Sequence, residues 1–406
     1  MFKIKNFYAF GRWDKILSSQ TNKKKKKIVM KWKIPYIDFG RQYNYQKPLH
    51  LRNFNSIMTS GDFVLRSEVE KFEKNVSQIL NVKYVVSVNS CTDAILLSLG
   101  SLNLKRGSEV ISVAHTYVAT LSAIKHVGLK PVMADISDDF NIDPNKIEKL
   151  ITKKTKAILP VHLYGHSCQM DKILKIANKY NLTIIEDCAQ SFGAKFKKKH
   201  VGTFGKVGCF SVHPLKSLGA AGDGGFIVTN DKKLYEKLIR YRNHGQGRRK
   251  NGKYLKSRYD IDFFGFCSRL DNLQASIVNT KLKILPKNIK RRNLIAKKYN
   301  QKLRDLPLIL PALHKSQNYS DVFNSYVIRT KRQFQLFKYL RNKGIEVLIN
   351  WPKPLYKHKG LKLSTKPLKN TEKICNEIIS LPIFPEMKNS EMNYITDCIK
   401  KFFKSN

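Results

Sequence analysis

The sequence predicts an α/β fold whose large sheet is mostly parallel, with a smaller α+β unit towards the C-terminus. Short apolar runs rich in β-branched residues recur from residue 84 onwards, and helical stretches separate them. Strands that alternate with helices pair in parallel, because each crossover returns the chain to the same edge of the sheet. Ligands of such sheets bind at the carboxyl edge, so the polar residues that follow the strands form the candidate site.

The predicted elements follow the chain in order. Strands are predicted at 84–88, 109–113, 131–135, 157–162, 182–185, 208–210 and 224–230. Helices are predicted at 67–80, 94–99, 232–241, 270–284 and 287–304, with Ser67 as an N-cap and 141–144 capping a further helix. The C-terminal unit should contain a strand at 324–329, a helix at 333–343 and a strand at 345–349. The predicted domains are therefore 34–286 and 287–406.

Length and composition indicate a globular protein with a large core. The 406 residues include seven cysteines without a paired spacing, which argues against a disulfide framework and favours a reducing compartment. No apolar run approaches the roughly 18 residues that a membrane span needs, and no export signal is recognisable. The expected location is the cytoplasm.

The formal net charge of +46 is the most unusual property of the sequence. A basic surface attracts phosphates at long range, which raises the question of a nucleic-acid partner. The lysines are nevertheless spread over most predicted surface helices, and no stretch interleaves them with aromatic residues as a nucleic-acid groove would. The pattern favours a solvated surface, with attraction of anionic substrates as the alternative, and predicts no nucleic-acid partner.

Residues 1–33 differ in composition from the rest of the chain. They contain eleven lysines and arginines, including the run Lys23–Lys27, against the single acid Asp14. Such a block is typical of a basic, disordered extension, and weak binding to anionic lipid or nucleic acid is the alternative. Met30 offers another interpretation, in which residues 1–29 are an artefact of start-site choice.

The stretch between residues 186 and 225 has the strongest chemical signal. The strand at 182–185 ends in Glu186 and Asp187, and Gln190 follows three residues after Asp187. Lys216 stands among glycines and small residues, where a backbone can approach a flat ligand and a desolvated amine has a lowered pKa. A lysine that forms a Schiff base and an aspartate that keeps a pyridine nitrogen protonated are the protein's share of pyridoxal phosphate chemistry. No convincing metal spacing of histidine or cysteine accompanies the two acids, so no metal site is predicted.

Two further turns follow strands in the first half of the chain. After the strand 84–88, Ser90, Cys91 and Thr92 lead into a helix, whose free N–H groups and dipole suit a phosphate. A simple N-cap is the alternative for this turn. After the strand 109–113, Tyr117 either lies flat on a ligand ring or belongs to the core.

These motifs resemble the DegT/DnrJ/EryC1/StrS family of pyridoxal-phosphate-dependent sugar aminotransferases. The resemblance covers roughly residues 34–405 and rests on D-C-A-Q at 187–190, H-P-L-K at 213–216, H-T-Y-V-A-T at 115–120 and L-P-I-F-P at 381–385. It implies a fold-type-I transferase with a mixed, mostly parallel seven-stranded sheet, pyridoxal 5′-phosphate as cofactor, and a homodimer. The implied reaction transfers an amino group from glutamate to a keto sugar on a nucleoside diphosphate, for polysaccharide or other amino-sugar biosynthesis.

The resemblance also implies roles for individual residues. Lys216 would be the catalytic lysine that holds the cofactor and moves the proton. Asp187 would pair with the pyridine nitrogen, Gln190 would bind the ring hydroxyl, and Tyr117 would stack on the ring. The phosphate cup would consist of small side chains at two strand ends: Ser90, Cys91, Thr92 and Ser211. Relatives with histidine in place of Lys216 are dehydratases or deaminases, so the lysine favours transamination.

The sequence departs from the family pattern in the loop 243–269, which the resemblance implies would reach across a dimer interface into the partner's site. Cys267 stands where the family has an asparagine that contacts phosphate. Because a thiol is a poor substitute for an amide donor, either Asn243, Ser268 or Arg269 takes that contact or the contact is absent.

Two functions other than transamination stay open. One is a dehydratase or deaminase of the same family, and the other is a non-enzymatic DNA-binding regulator on the same fold. The regulator would need a helix-turn-helix segment or a single basic groove, and the sequence indicates neither.

Overall fold

The computed structural model describes residues 32–246, 249–250, 253–254, 260–313 and 318–404. The predictions for the run Lys23–Lys27 and for residues 1–29 therefore concern residues outside the described ranges, as do parts of the loop 243–269. None of the helices within these ranges combines the length and the apolar composition that a membrane span requires.

A seven-stranded mixed sheet organises the first part of the chain. Its order is β1 (Tyr84–Val88), β9 (Gly225–Thr229), β8 (Val207–Ser211), β5 (Thr183–Asp187), β4 (Thr155–Ile158), β2 (Glu109–Val113) and β3 (Lys130–Ala134). Strand β9 runs antiparallel to β1 and β8, and the other pairings in this sheet are parallel. The predicted mixed, mostly parallel sheet is confirmed, and six strands end at one shared edge.

Helices and loops enclose this sheet. The α-helices of this part are α1 (Phe39–Ser60), α2 (Ser67–Leu80), α3 (Cys91–Ser101), α4 (Val118–His126), α5 (Met170–Lys179), α6 (Lys232–Tyr241) and α7 (Asn272–Leu282). Short 3₁₀ turns lie at Pro144–Lys146, Glu148–Leu150 and Leu163–Gly165. Every residue of β2, β8 and β9 is buried, so both faces of the sheet are covered, as parallel sheets require.

The C-terminal part forms a second core. Its elements are α8 (Leu285–Leu303), β13 (Tyr326–Arg329), α9 (Gln333–Asn342), α10 (Lys369–Cys375), β14 (Ile378–Leu381) and α11 (Asn389–Lys404), with 3₁₀ turns at Leu355–Lys357 and Lys359–Leu361. Strands β13 and β14 pair antiparallel, and Tyr299, Tyr326 and Phe384 are buried between them and the helices. Ile34 packs into this second core and forms a bridge with Ile345. The domain boundary at residue 286 stays a prediction.

Two small sheets accompany the seven-stranded sheet, and Phe196 of one of them packs into the core of the large part. Strand β6 (Lys195–Phe196) pairs with β7 (Lys199–His200) and with β12 (Tyr319–Ser320), so the C-terminal part adds one strand to a hairpin of the large part. Strands β10 (Arg249–Lys250) and β11 (Lys253–Tyr254) form a hairpin inside the loop 243–269.

Some sequence predictions about helices are wrong in detail. Arg66 occupies the cap of α2, without a side-chain hydrogen bond to the helix, and Ser67 is the first helical residue. The helix expected after 141–144 is reduced to two 3₁₀ turns, and Asp143 caps the first of them by accepting a bond from the Asn145 N–H. The 22-residue helix α1 was not predicted; the Asp38 carboxylate caps it.

The strand predicted at 345–349 is also absent from the described structure. The segment contributes two isolated bridges instead, one between Ile345 and Ile34 and one between Leu348 and Ser380. Because each bridge has a different partner strand segment, no continuous ladder forms. This apolar, β-branched segment is therefore an extended loop that forms one bridge with Ile34 and one with Ser380.

A histidine between two carboxylates links the large sheet to the C-terminal part. The His166 Nδ1 atom lies 2.7 Å from a carboxylate oxygen of Asp321, and its Nε2 atom lies 3.7 Å from one of Asp139. The ring also stacks on Tyr319 with centroids 4.7 Å apart. Burial alone would lower the pKa of His166, but the bonds and charges of Asp139 and Asp321 outweigh burial and raise the pKa to about 9.

Replacing His166 with glutamine will reduce stability most at low pH. The folded pKa lies above that of an unfolded histidine, so this contribution is complete below about pH 6.5 and is lost as the pH rises through about 9. A shift of this size corresponds to about 3 kcal/mol in the free energy of unfolding. Urea unfolding at pH 6 and at pH 9.5 measures it, with the exposed His126→Gln as control. A gap between wild type and variant that is the same at both pH values would contradict the prediction.

Candidate active site

The shared carboxyl edge of the sheet brings the predicted site residues together. In the ladder, Gly225 at the start of β9 is paired with Val88 at the end of β1 and with Ser211 at the end of β8. Asp187 ends β5 and is paired with Cys209 on β8. Residues far apart in the sequence thus end on one side of one sheet, as the alternation of elements predicts.

The turn at residues 90–92 opens helix α3. The Ser90 hydroxyl accepts a 3.0 Å hydrogen bond from the Asp93 N–H, so Ser90 is the N-cap and α3 starts at Cys91, three residues earlier than predicted. The cap and the anion site are compatible, because a single side chain satisfies one of several free N–H groups in the first turn. The main-chain N–H groups of Cys91 and Thr92 are therefore among the donors available to an anion.

Glycine at position 225 is required by the same turn. A Cβ atom there would lie 2.5 Å from the carbonyl carbon of Ser90 and 2.6 Å from the nitrogen of Cys91. Any side chain would therefore push the turn away from β9. In the sequence, Gly225 is only the second residue of a glycine pair. Its close contact with the backbone of Ser90 and Cys91 is apparent only in the fold.

Ser268 forms hydrogen bonds with residues on both sides of the turn at 90–92. Its buried hydroxyl donates to the Asp93 carboxylate at 2.7 Å and accepts from the Asn89 N–H at 3.1 Å. Its own N–H donates to the Arg242 carbonyl at 2.9 Å. Ser268 had been one of three candidates for a contact with a partner subunit, but in this chain its hydroxyl is bonded within its own subunit.

The other two candidates, Asn243 and Arg269, are half-buried in the same loop. The Asn243 side chain donates to the Gln246 side chain at 3.0 Å, and Arg269 approaches the Asn243 side-chain oxygen at 3.4 Å. Cys267 is exposed and forms a backbone bridge with Asn243. The cross-subunit contact of Asn243 or Arg269 stays a prediction.

Asp187 is buried at the end of β5, and two donors orient its carboxylate. The Thr120 hydroxyl donates to one oxygen at 2.8 Å, and the Ala189 N–H donates to the other at 3.1 Å. Burial raises the pKa of Asp187, while the bonds from Ala189 and Thr120 and the charge of Lys216 oppose this. Thr120 had no role in the sequence analysis, although it belongs to the 115–120 motif. Its position one turn into α4 could have indicated that it faces the same edge.

Lys216 lies in the segment that joins β8 to β9. Burial lowers the pKa of its amine, and electrostatic interactions with Cys91 and Asp187 oppose the shift. Both partners lie at the strand edge, so the amine is within electrostatic reach of the Asp187 carboxylate. The Cys91 sulfur lies 4.0 Å from the same carboxylate, and the side chain at position 91 therefore borders the site as well as the backbone.

Three other predicted residues have defined positions. The Gln190 side-chain oxygen accepts a 2.7 Å bond from the Tyr164 N–H, and the NH₂ group carries its remaining donors. The buried Ser211 hydroxyl accepts from the His213 N–H at 3.2 Å and retains its own proton as a donor. Tyr117 precedes α4 and is 63% exposed, so it is not an ordinary core residue. Their contacts with a ligand stay predictions.

A cluster of His162, Glu186 and Cys188 lies behind Asp187 within the described structure, with potential ligand atoms inside 4.8 Å of one another. Internal bonds already use the Glu186 and His162 atoms of this cluster. The Glu186 carboxylate accepts three main-chain N–H groups of residues 202–205 at 2.7 Å and pairs with His162 Nε2 at 3.0 Å. The other histidine nitrogen accepts from the Cys168 N–H at 3.0 Å. We interpret this cluster as a structural support for the strand end.

The fold and the arrangement at its edge are those of a pyridoxal-phosphate-dependent aminotransferase of fold type I. The chain belongs to the DegT/DnrJ/EryC1/StrS aminotransferase family, which it matches over residues 45–400. The match spans both cores.

Similar proteins cover almost the whole chain. A pleiotropic regulatory protein of Geobacillus stearothermophilus is 36% identical over 377 residues, which cover 91% of this chain and 99% of the relative. The dTDP-3-amino-3,6-dideoxy-alpha-D-galactopyranose transaminase of Aneurinibacillus thermoaerophilus is 38% identical over 373 residues, with coverage of 91% and 99%. The crystal structure of NtdA from Bacillus subtilis with bound cofactor PMP has a TM-score of 0.84, 29% identity, and coverage of 97% of this chain and 91% of that chain.

The residues at the strand edge fit pyridoxal 5′-phosphate, the cofactor of this family. The start of α3 offers main-chain donors, and only glycine at position 225 leaves the turn in place. A buried carboxylate with fixed orientation suits a protonated ring nitrogen, and a desolvated amine suits a covalent link to an aldehyde. Phosphate, ring and aldehyde thus each have a chemically matching group.

Proposed function

We propose that this protein transfers an amino group from glutamate to a keto sugar carried on a nucleoside diphosphate. The observation that carries the proposal is the desolvated Lys216 amine within electrostatic reach of the buried Asp187 carboxylate, at the same strand edge as the Ser90 turn. The substrate class rests on the Aneurinibacillus relative, whose name specifies a dTDP-linked amino sugar.

Each of these residues has a chemical role in the proposal. When bound, the cofactor supplies a conjugated ring that takes up the electron pair left when the substrate carbon loses its proton. Lys216 would hold the cofactor through its amine, and its Nζ atom would move the proton at the substrate carbon. Its lowered pKa supports this base role at neutral pH.

The remaining site residues position the cofactor. Asp187 keeps the ring nitrogen protonated, and Thr120 with the Ala189 N–H holds that carboxylate in place. The NH₂ group of Gln190 would hold the ring hydroxyl, and Tyr117 would hold the ring itself. A set of hydroxyl and main-chain donors binds the phosphate: Ser90, Cys91, Thr92 and Ser211. Fixed donors of this kind orient the reacting group before the chemistry begins.

An absorbance spectrum of the purified protein, with and without glutamate, tests the proposal. The lysine-linked cofactor will give a band in the visible range, and glutamate will replace it with the near-ultraviolet band of the amine form. Subsequent addition of a nucleoside-diphosphate keto sugar will restore the visible band. No band after addition of pyridoxal phosphate would contradict the enzyme assignment. A band that glutamate leaves unchanged would contradict the donor.

Two other functions are less well supported. A dehydratase or deaminase of the same family is disfavoured because position 216 is lysine. A regulatory role is suggested by the name of the Geobacillus relative, but a regulator has no need of an oriented, buried carboxylate beside a desolvated amine. Salt-sensitive retention on DNA, together with the absence of a cofactor band, would favour the regulator over the aminotransferase.

We also propose that the protein is a cytoplasmic homodimer. Large apolar side chains are exposed on α1 and on the loop 243–269, where Phe264 is fully exposed. The α1 residues are Phe39, Tyr43, Tyr45, Leu51, Phe54 and Met58. Apolar side chains in such numbers mark a protein–protein interface. The seven cysteines are all unpaired, which supports a reducing compartment.

Replacing Phe264 with aspartate will shift the proposed dimer towards monomer. The proposed dimer would bury this side chain, and a charge buried without a partner is unfavourable, so we expect at least about a 10-fold rise in the dissociation constant. Light scattering during size-exclusion chromatography over a concentration series measures this. Phe334→Asp, at an exposed aromatic of α9, is the matched control. A monomeric wild-type protein, or a variant with unchanged dissociation, would contradict the interface.

A further inference from the structure

The segment that carries Lys216 is a loop between β8 and β9 with few bonds of its own. Within it, the Lys216 N–H donates to the His213 carbonyl at 2.8 Å, and the Ala220 N–H donates to the Val212 carbonyl at 2.7 Å. The loop is tight, because a Cβ atom at Gly219 would lie 2.5 Å from the Pro214 oxygen. Further support comes from side chains of other elements.

Three side chains outside the loop bond to its backbone just after Lys216. The Asn324 oxygen accepts from the Ser217 N–H at 3.0 Å. Lys281 donates to the Gly219 carbonyl at 2.5 Å, and the Gln274 oxygen accepts from the Ala221 N–H at 2.9 Å. Every second residue from 217 to 221 is therefore held by a different side chain.

The three side chains come from both parts of the molecule. Gln274 and Lys281 are seven residues apart on α7 and so lie on one face of that helix. Lys281 also donates to the Gln42 side chain of α1 at 2.8 Å, which connects the loop to a second helix. Asn324 precedes β13 in the C-terminal part and is buried. The loop is thus held between helices α1 and α7 on one side and the second core on the other.

Lys281 is the central member of this set. Burial lowers the pKa of its amine to about 8, and Glu386 partly opposes the shift. A side chain with a long flexible stem is placed at this desolvated position, and its amine is directed at a main-chain carbonyl. Burial of an amine is unfavourable without acceptors, and the Gly219 carbonyl and the Gln42 side chain provide them.

We propose that Lys281, Asn324 and Gln274 are positioning residues for Lys216. By tying the backbone at residues 217–221 they limit the motion of the amine, which must meet the cofactor and the substrate carbon at short range. The sequence motif around Lys216 contains none of them. The proposal rests on the proposed function for the role of Lys216, whereas the order of the loop is a property of the folded chain and can be measured without cofactor.

Hydrogen exchange of the amides at 217–221, in the full-length protein without cofactor, is the first test. Lys281→Met keeps the length of the side chain but removes the donor, and we expect exchange at least about 5-fold faster. Lys281→Arg restores a donor and should restore much of the protection. Lys283→Met, at an exposed lysine beside the same helix, should leave exchange unchanged.

The second test follows capture of added pyridoxal phosphate by the apoprotein. Lys281→Met will slow the growth of the visible band and lower kcat with little change in KM, because the loop and not substrate binding is affected. Asn324→Ala, which frees the Ser217 N–H, will act in the same direction and replaces Lys281→Met if that variant does not fold. Unchanged exchange in both variants overturns the proposal. Faster exchange in a protein that never binds cofactor would overturn the proposed function but leave the loop support standing.

Discussion

Replacing Lys216 with alanine will abolish transamination and the covalent link to the cofactor. The same amine serves as the attachment point and as the group that moves the proton. A positioned proton-transfer group alone contributes about 10²- to 10⁴-fold, so the combined loss in kcat should exceed about 10⁴-fold. Turnover, and borohydride reduction followed by mass analysis of the peptide containing residue 216, are the measurements. Wild type will carry the reduced adduct on that peptide, and the variant will not.

Lys216→Arg is the matched control for charge. It keeps a cation in the loop, but a guanidinium does not form the link, so this variant should be as inactive as Lys216→Ala. The surrounding fold should be unaffected in both, because the loop backbone is held by other residues. Transamination by either variant would show that another amine carries the chemistry and that the central assignment is wrong.

Replacing Asp187 with asparagine will give the second largest loss of activity. The amide has nearly the same shape, but it lacks the negative charge that keeps the ring nitrogen protonated. Loss of one preorganised electrostatic contact at a reacting centre costs about 10²- to 10³-fold in kcat. The measurement is kcat for a full turnover, together with the position of the visible band, which should shift as the ring nitrogen loses its proton.

Thr120→Val provides a graded comparison for Asp187. It removes the 2.8 Å bond to the carboxylate and keeps the volume of the side chain. A single hydrogen bond to a charged group contributes about 1.5–3 kcal/mol, so we expect a loss of about 10- to 100-fold, smaller than that of Asp187→Asn. If Asp187→Asn keeps full activity, or if Thr120→Val is the more damaging change, the ring-nitrogen role is not that of Asp187.

The helical and strand segments of the large part were predicted well because their signals are local. The apolar runs at 84–88 and 109–113 have the predicted bounds, and so does the helix 232–241. The prediction of a strand at 345–349 was wrong because an apolar, β-branched run indicates only that a segment can be extended. Whether it pairs as a strand depends on which other segments lie beside it in the fold. Helix α1 was not predicted because its sequence has no clear stripe of apolar residues that would face a core. Many of its apolar side chains are exposed in the single chain.

For the site, local sequence was enough to identify the chemistry. Lysine among glycines, an acid pair at a strand end and a hydroxyl-rich turn each predict a chemical task, because those tasks demand particular functional groups. The alternation of strands and helices then predicts that the groups share one edge. These inferences need only residue type, spacing and the rules of chain connection.

The partners that orient these groups depended on the tertiary structure. Thr120 lies 67 residues from Asp187, and Lys281 lies 62 residues from Gly219, yet each pair is in hydrogen-bond contact. Ser268 looked available to a partner subunit until its bonds to Asp93 and Asn89 were visible. Directional contacts between distant residues require the positions of both atoms, and only packing of the whole chain sets those positions. The chemistry is therefore readable in short motifs, while the orientation that makes it effective is a property of the fold.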